Sequence, residues 1–595
     1  MRDYKLEIAA RIAALESVKG AGLDETGVYA LIETPQDTGF GDFAFPCFRL
    51  AKALKKAPQE IAAGLAEEWA AAPSKGQAPR NDEGGEEWAA APPKVRAAGP
   101  YLNFFIDRAE YICDVVKSVL EEGPRYGGSE IGAGRRMLVE YSSPNIAKPF
   151  HIGHIRSTVI GSAIGNILES LGYDVLRLNH LGDYGTQFGK LIVAYRRFGS
   201  REDVQASPIT TLLEYYVKFH KLAEEDPSLE DEARAAFSAL ERGEEEEVAL
   251  WEWFREESLK EFTVVYDMMG IRFDSFDGES FYSGRMGRFT DELERDGLLK
   301  TSDGAQIVDL EDYGLGRALI KKSDGSTLYI TRDIAAAVYR KEHYGFEKNI
   351  YVVASQQDLH FKQWIKILDL MGYEWAYDCV HVPFGLVRLA DGAMSTRTGN
   401  VVFLEDVLRK AVDKTKEIIE EKGIVTDDID ETARQIGIGA VVFQELHNNR
   451  IKDYEFDWPR VLNFDGETGP YAQYSHARAA SVLRKAQELG IDVSPGALAG
   501  VRDYGAIASE AVFALARLVG ALPGVVAEAG EKYEPSLVTR HVADIAQAFS
   551  AFYHDEPILT DEGEARQAKL ALAAAAKQSI RNGLALLGIS APERM

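Results

Sequence analysis

Two periodicities alternate along this chain. From about Tyr126 to Gly199, and again from about Leu319 to Phe403, short apolar extended runs are separated by stretches with apolar residues three and four apart. That is the pattern of parallel strands joined by crossover helices. Strands are predicted at Met137 to Tyr141, Val175 to Leu181, Ile350 to Ala354 and Val380 to Leu389. Between the two halves, roughly residues 200 to 318, the pattern turns helical and charged and reads as an insertion. From Glu405 onward three- and four-residue spacing predicts a helix bundle, interrupted by a shaped loop at Phe464 to Tyr471, where glycines and a proline gather. Residues up to about 110 read as a separate α+β module. It is helical at its start, with Gly39 to Phe45 as loop and strand and Pro100 to Ile106 as a closing strand.

Within that module Glu67 to Pro73 recurs as Glu86 to Pro92, with Gly, Pro, Lys and Glu between the copies. Residues near 70–98 therefore read as a duplicated, mobile insertion whose tryptophans have a lesser claim as docking residues. At 595 residues the chain exceeds what one core organises, and about three or four domains are expected. The net charge of -27 is awkward for a nucleic-acid binder unless basic residues cluster locally, as Arg478, Arg484 and Lys485 do. Acidic runs at Glu244 to Glu247 and Glu256-Glu257 read as solvated helix faces. Three distant cysteines suggest neither a disulfide framework nor a zinc site. The charged N-terminus is unlike a signal peptide, and no apolar run looks long enough to cross a bilayer, Ala568 to Ala576 being short and broken by Lys569. The expectation is a cytoplasmic chain with no membrane partner.

The candidate chemistry centres on His151-Ile152-Gly153-His154. A strand, a polar loop (Ser142 to Pro149) and a helix start follow one another here, which aims unpaired N–H groups and a positive dipole end at an anion. Residues three apart share a helix face, so the two histidines point the same way, and Gly153 leaves room for a flat base against the backbone. Lys148, just upstream, is suited to phosphate oxygens. The plain alternative is two surface histidines on an ordinary helix cap. A second element, Met394-Ser395-Thr396-Arg397-Thr398-Gly399-Asn400, reads as a glycine-bearing loop after a strand, able to close over a triphosphate.

With both elements in view the chain resembles the class I aminoacyl-tRNA synthetases. His151 to His154 stand as the HIGH motif and Met394 to Arg397 as a degenerate KMSKS loop. More narrowly it resembles the arginyl-tRNA synthetases over essentially its whole length. The narrower likeness rests on Glu140 to Lys148 (EYSSPNIAK), Asn179 to Gly189 (NHLGDYGTQFG), Tyr329 to Asp333 (YITRD), Ala354 to Asp358 (ASQQD) and Gly469 to Arg478 (GPYAQYSHAR). The resemblance implies a Rossmann-like catalytic domain over 111–404, with the insertion near 200–318. It implies a tRNA-elbow module over 1–110 and an all-α anticodon-binding bundle over 405–595. It further implies L-arginine, ATP with Mg2+ and tRNA(Arg) as ligands, a monomer, and amino-acid activation that requires tRNA.

Site residues follow from the resemblance in the same way. Arginine would be held by Glu140, Ser143, Asn145, Tyr329, Asp333 and Gln357, with ATP at His151, Gly153, His154, Met394, Ser395 and Thr396. Catalytic roles would fall to His151, His154, Lys148 and Arg397. tRNA would be met by Asn103, Phe105, Tyr471, Tyr474 and Arg478, with His476 adding charge beside the tyrosines. Guanidinium has five fixed donors, so carboxylates and amide oxygens spaced for bidentate contact suit it. Other readings stay open residue by residue: Asp333 paired with Arg332, Gln357 as a helix cap, Tyr329 in the core, Tyr471 and Tyr474 packed between helices. The loop also departs from its motif. Ala393 replaces the leading lysine and Thr396-Arg397 replace lysine and serine, and the resemblance implies that Lys148 takes over phosphate neutralisation.

Overall fold

The computed structural model describes residues 2–35, 38–71, 93–322, 329–389, 402–463 and 466–595. The chain divides into two compact units. The first comprises Met1–Glu121, Leu489–Arg517 and Phe552–Ala575, and the second Glu122–Glu488, Leu518–Ala551 and Ala576–Met595.

In the first unit β1 (Phe43–Pro46), β2 (Lys94–Ala98) and β3 (Tyr101–Phe105) form an antiparallel sheet in the order β1-β3-β2. Alternation along β3 turns Leu102 and Phe104 into a core with Ile8, Ile12 and Leu65, leaving Asn103 and Phe105 to the opposite face. Two expectations change here. Residues 94–98 are not part of a mobile insertion, because they pair in register with β3. Trp69, from the first copy of the repeat, is no docking residue. It is 3% exposed, its ring centroid lies 4.9 Å from that of Phe104, and its indole N–H donates to Pro93 O at 3.3 Å. The second copy lies outside the described residues.

The second unit begins with β4 (Arg136–Glu140) and β5 (Asp174–Leu178), continues through β6 (Leu299–Ser302), β7 (Ala305–Asp309) and β8 (Arg317–Lys321), and then adds β9 (Lys348–Ala354) and β10 (Cys379–Phe384). Strands β10-β9-β4-β5 make a parallel sheet, whose registers pair Glu140 with both Leu178 and Tyr351, and Ala354 with Phe384. All four therefore end along one carboxyl edge. Helix α1 (Ile155–Ser170) crosses from β4 to β5. α2 (Tyr329–Tyr344) runs down to β9, and α3 (Asp358–Leu370) joins β9 to β10. Apolar strands sandwiched by helices read as near-continuous hydrophobic runs. Leu138, Leu178 and Tyr351 pack accordingly with Ile334 and Val338 of α2 and Trp364 and Leu368 of α3. Gly161 lets α1 lie directly on the strand, since a Cβ there would come within 2.1 Å of Tyr141 Cβ.

The structure departs from the sequence pattern in several places. The insertion is helical only to Arg295. Strands β6, β7 and β8 then form a small antiparallel sheet, too short and too charged at Lys300, Asp309 and Arg317 to stand out as alternation. Glu247 and Glu257, read as solvated, are buried and paired, Glu247 with Arg196 at 2.7 Å and Glu257 with Lys260 at 3.1 Å. The apolar run 380–389 breaks at Gly385, where a Cβ would meet Ile451 O and Asp453 Oδ1 at 2.7 Å. Beyond it β11 (Val387–Leu389) leaves the main sheet to pair in parallel with β12 (Tyr454–Phe456), a strand the helical pattern concealed. Later come α4 (Ile429–His447), capped by Asp428, whose carboxylate accepts from the N–H groups of Asp430 and Glu431, and α5 (Gly469–Glu488). Glu510–Lys532 is long and apolar enough to cross a membrane, contrary to the sequence reading. Its Phe513, Val519, Leu522 and Val526 are fully buried, as in a core helix of a bundle.

Candidate active site

The loop between β4 and α1 is shaped by strain that its neighbours hold in place. Ser142, Ser143 and Ala147 are all left-handed, with φ of 69°, 48° and 57°, at a cost of the order of 1–3 kcal/mol each. Ser157 Oγ accepts from Ser142 N–H at 2.9 Å and donates to Val352 O of β9 at 2.8 Å, so one side chain ties loop, α1 and strand together. Ser142 Oγ lies 2.8 Å from Tyr266 OH, and Ala147 N–H donates to Ser258 Oγ at 3.3 Å. The neighbouring loop after β5 is stitched on by Ile146 N–H to Gly182 O and Gly182 N–H to Pro144 O, both 3.1 Å.

At the end of this loop the two histidines cap the helix reciprocally. His151 Nδ1 accepts from Gly153 N–H at 3.0 Å, while His154 Nδ1 accepts from His151 N–H at 3.1 Å. With both Nδ1 atoms accepting, both rings carry their proton on Nε2. The ring centroids are 4.0 Å apart, and His154 also stacks on Phe150 at 5.2 Å. Burial pushes His151 below the usual histidine range. Burial, with His151 beside it, pushes His154 down to about 3. Both are therefore neutral N–H donors at neutral pH. Burial also lowers Lys148, and Glu279 nearby partly offsets it.

The predicted arginine residues fall along the same carboxyl edge. Glu140 ends β4, is 7% exposed and already carries a buried partner, Arg340 Nη1 of α2 at 2.6 Å. Its charge is thus spoken for inside the protein, a fact the sequence strings did not reveal. Ser143 is half-buried and Asn145 exposed on the loop beyond it. Asp333, in the first turns of α2, binds His360 Nε2 of α3 at 2.5 Å through Oδ2. Its expected alternative partner, Arg332, pairs instead with Glu279 at 2.8 Å. Tyr329 is no core residue. It is 64% exposed at the start of α2, its ring centroid 5.6 Å from the Arg332 guanidinium. Gln357 occupies the N-cap position of α3 but makes no side-chain cap bond, and it is exposed. His360 and Arg340 were both missed. His360 sits two residues beyond the quoted string ending at Asp358, whereas nothing local marks Arg340.

Met394, Ser395, Thr396 and Arg397 lie outside the described residues. The segments on either side are described. β11 precedes them, and after them Phe403 bridges to His151, with Ile152 N–H donating to Val402 O at 3.1 Å and Leu404 N–H to Phe150 O at 2.9 Å. Among the described residues no cluster of three His, Cys, Asp or Glu is arranged to hold a metal ion.

The tRNA candidates lie elsewhere. Asn103 is buried beside a cavity of about 290 Å³ lined by Glu33, Pro35, Phe40, Ala44 and Tyr101, while the Phe105 ring lies 5.3 Å from the Arg96 guanidinium. On α5, Tyr471 and Tyr474 are half-buried, and the Arg478 guanidinium sits 4.6 Å over the Tyr474 ring. His476 does not add charge there. It is fully buried, its Nδ1–H donates to Pro592 O at 3.0 Å, and burial pushes its pKa down to about 4.

Comparison with known proteins agrees with this geometry. The family described as "tRNA synthetases class I (R), catalytic domain" matches residues 115–458, so fold and site together define a class I tRNA synthetase. "DALR anticodon binding domain" matches 472–595 and "Arginyl tRNA synthetase N terminal domain" matches 3–78. The chain belongs to the arginyl-tRNA synthetase family. It is 53% identical to an arginine–tRNA ligase of Clostridioides difficile and 50% identical to one of Halothermothrix orenii, in each case over all of both chains. Arginyl-tRNA synthetase from Thermus thermophilus superposes with a TM-score of 0.76 at 26% identity, covering 99% of this chain and 100% of that one.

Proposed function

We infer that this chain ligates L-arginine to tRNA(Arg) with ATP, and that the chemistry takes place along the carboxyl edge of the β10-β9-β4-β5 sheet. The arginine carboxylate attacks the α-phosphorus in line and pyrophosphate leaves, giving arginyl adenylate. A ribose hydroxyl of the terminal adenosine of the tRNA then takes the arginyl group and AMP leaves. The observation that carries this reading is that catalytic, anticodon-binding and N-terminal families of one enzyme match successive parts of a single chain.

The division of labour is as follows. His151 and His154 offer neutral Nε2–H donors to the phosphate oxygens, with Gly153 beneath the nucleotide and Lys148 supplying the ammonium group that Met394–Arg397 lacks; Met394, Ser395, Thr396 and Arg397 serve the ATP phosphates. Preorganised donors of this kind act where charge develops. Mg2+ would come with ATP as part of that substrate and would supply neutralisation of phosphate charge. Asp333, fixed through Oδ2 by His360, keeps Oδ1 for the guanidinium. Gln357, Asn145, Ser143 and Tyr329 line its approach, and Glu140 contributes through its pairing with Arg340. Residues 1–110 serve the tRNA elbow through Asn103 and Phe105, 111–404 the chemistry and 405–595 the anticodon through Tyr471, Tyr474 and Arg478. The protein works as a cytoplasmic monomer. ATP–pyrophosphate exchange with each of the twenty amino acids, with and without tRNA, tests the reading. Exchange is expected with arginine alone and only when tRNA is added. Exchange with another amino acid would overturn the specificity, and equal exchange without tRNA would remove the tRNA requirement only.

A further inference from the structure

We propose that Arg156, Glu445 and Tyr454 form a positioning device that holds the helix starting at the paired histidines in register with the β11–β12 strand pair. The proposal rests on the ATP roles assigned above and adds three residues that touch neither substrate. Arg156 lies on α1, two residues beyond His154, and Glu445 lies on α4; both are 0% exposed. Arg156 Nε is 2.6 Å from Glu445 Oε1, and its Nη1 donates to Lys452 O at 2.7 Å. Tyr454 donates its hydroxyl to the other oxygen of Glu445, while its ring centroid lies 5.3 Å from the Arg156 guanidinium.

Tyr454 is the first residue of β12 and faces Val387 of β11, the last described strand before residues 390–401. The same junction is pinned by Asp453, which accepts from Leu386 N–H and from Arg388, both at 2.8 Å. Beyond residues 390–401 the chain pairs with Phe150–Ile152 through the backbone bonds at Val402 and Leu404. The strand before residues 390–401 and the segment after them are thus both referred to the start of α1, the second directly and the first through Arg156, Glu445 and Tyr454. Replacing a buried ion pair by apolar residues of similar volume is often neutral or stabilising. Packing alone therefore does not call for charge here. What the group adds is direction, because Arg156 Nη1 donates to Lys452 O and the Tyr454 hydroxyl donates to Glu445, and hydrogen bonds fix angles as well as distance. Burial raises the Glu445 carboxyl, with Arg156 and Tyr454 pulling it back.

The test uses the full chain with tRNA present. Variants Tyr454→Phe, Glu445→Gln and the apolar double substitution Arg156→Met with Glu445→Leu are compared by ATP–pyrophosphate exchange, tRNA binding and urea unfolding. Exchange kcat is expected to fall roughly 10- to 100-fold, with the KM for arginine and the Kd for tRNA changing by less than about threefold. In the double variant the unfolding midpoint is expected to hold while kcat stays low, which a merely structural role would not produce. Folded variants that keep wild-type kcat overturn the device, as does a fall in kcat that only follows the folded fraction. A His151→Asn enzyme measured alongside separates the two levels. If it is inactive while the triad variants are fast, only the device fails; if it is fully active, the ATP assignment fails and the device has nothing to position.

Discussion

Each Nδ1 of His151 and His154 is spent on backbone, and holding His154 neutral has a consequence with a definite sign. His154 has an ordinary pKa of 6.5 when unfolded and about 3 when folded. The unfolded chain therefore binds the proton first as pH falls, so this contribution to stability is complete above about 6.5 and is lost progressively between there and about 3. His154→Asn should lose less of its urea stability than the parent between neutral pH and mildly acid pH. Parallel declines would mean the ring is not held neutral. Lys148→Ala should slow arginyl-adenylate formation by a factor of the order of 10²–10³ in single-turnover assays, with little change in arginine affinity. An unchanged rate would shift charge neutralisation to Arg397. Asp333→Asn should raise the KM for arginine at constant KM for ATP, by roughly 10- to 100-fold for one charge-assisted hydrogen bond. An unchanged arginine KM would move the guanidinium elsewhere. At this scale the sequence named residues but not their partners. Glu140 and Asp333 stood in recognisable strings, whereas the pairs Glu140–Arg340 and Asp333–His360 join distant parts of the chain.

At the scale of elements, the close seat of α1 on β4 decides where the histidines stand. Gly161→Ala would drive a methyl into Tyr141, and a stability loss of about 1–3 kcal/mol is expected together with a lower exchange kcat. A variant with unchanged urea midpoint and activity would show that α1 has slack, which the strained loop at Ser142, Ser143 and Ala147 argues against. The strands β4 and β9 and the helices α1 and α3 were legible because each is long or apolar enough to carry its own period. The small sheet β6-β7-β8 and the pair β11-β12 were not. Their strands run to three to five residues, carry charges, and owe their existence to partners that no local window contains. Gly385 shows the same limit, since its role is set by the close passage of residues 451–453.

At the scale of the whole molecule, the proposed function asks local basic stretches, such as Arg478 to Lys485 on α5, to reconcile an acidic composition with tRNA binding. The duplicated stretch offers a separate test. Because Trp69 Nε1 reaches Pro93 O at 3.3 Å, the ends of 72–92 lie close enough for a short Gly/Ser linker, and that exchange should leave aminoacylation unchanged. A raised KM for tRNA would give the repeat a binding role. The central claim is that an arginine clasp and an ATP seat, drawn from segments far apart in sequence, share one crevice at the carboxyl edge of the sheet. A crystal structure of the enzyme with a non-hydrolysable arginyl-adenylate analogue measures this directly. The guanidinium is expected against Asp333 Oδ1, with the phosphate within hydrogen-bond reach of His151 and His154 Nε2. An analogue bound with its guanidinium away from Asp333, or its phosphate away from both histidines, would contradict the account.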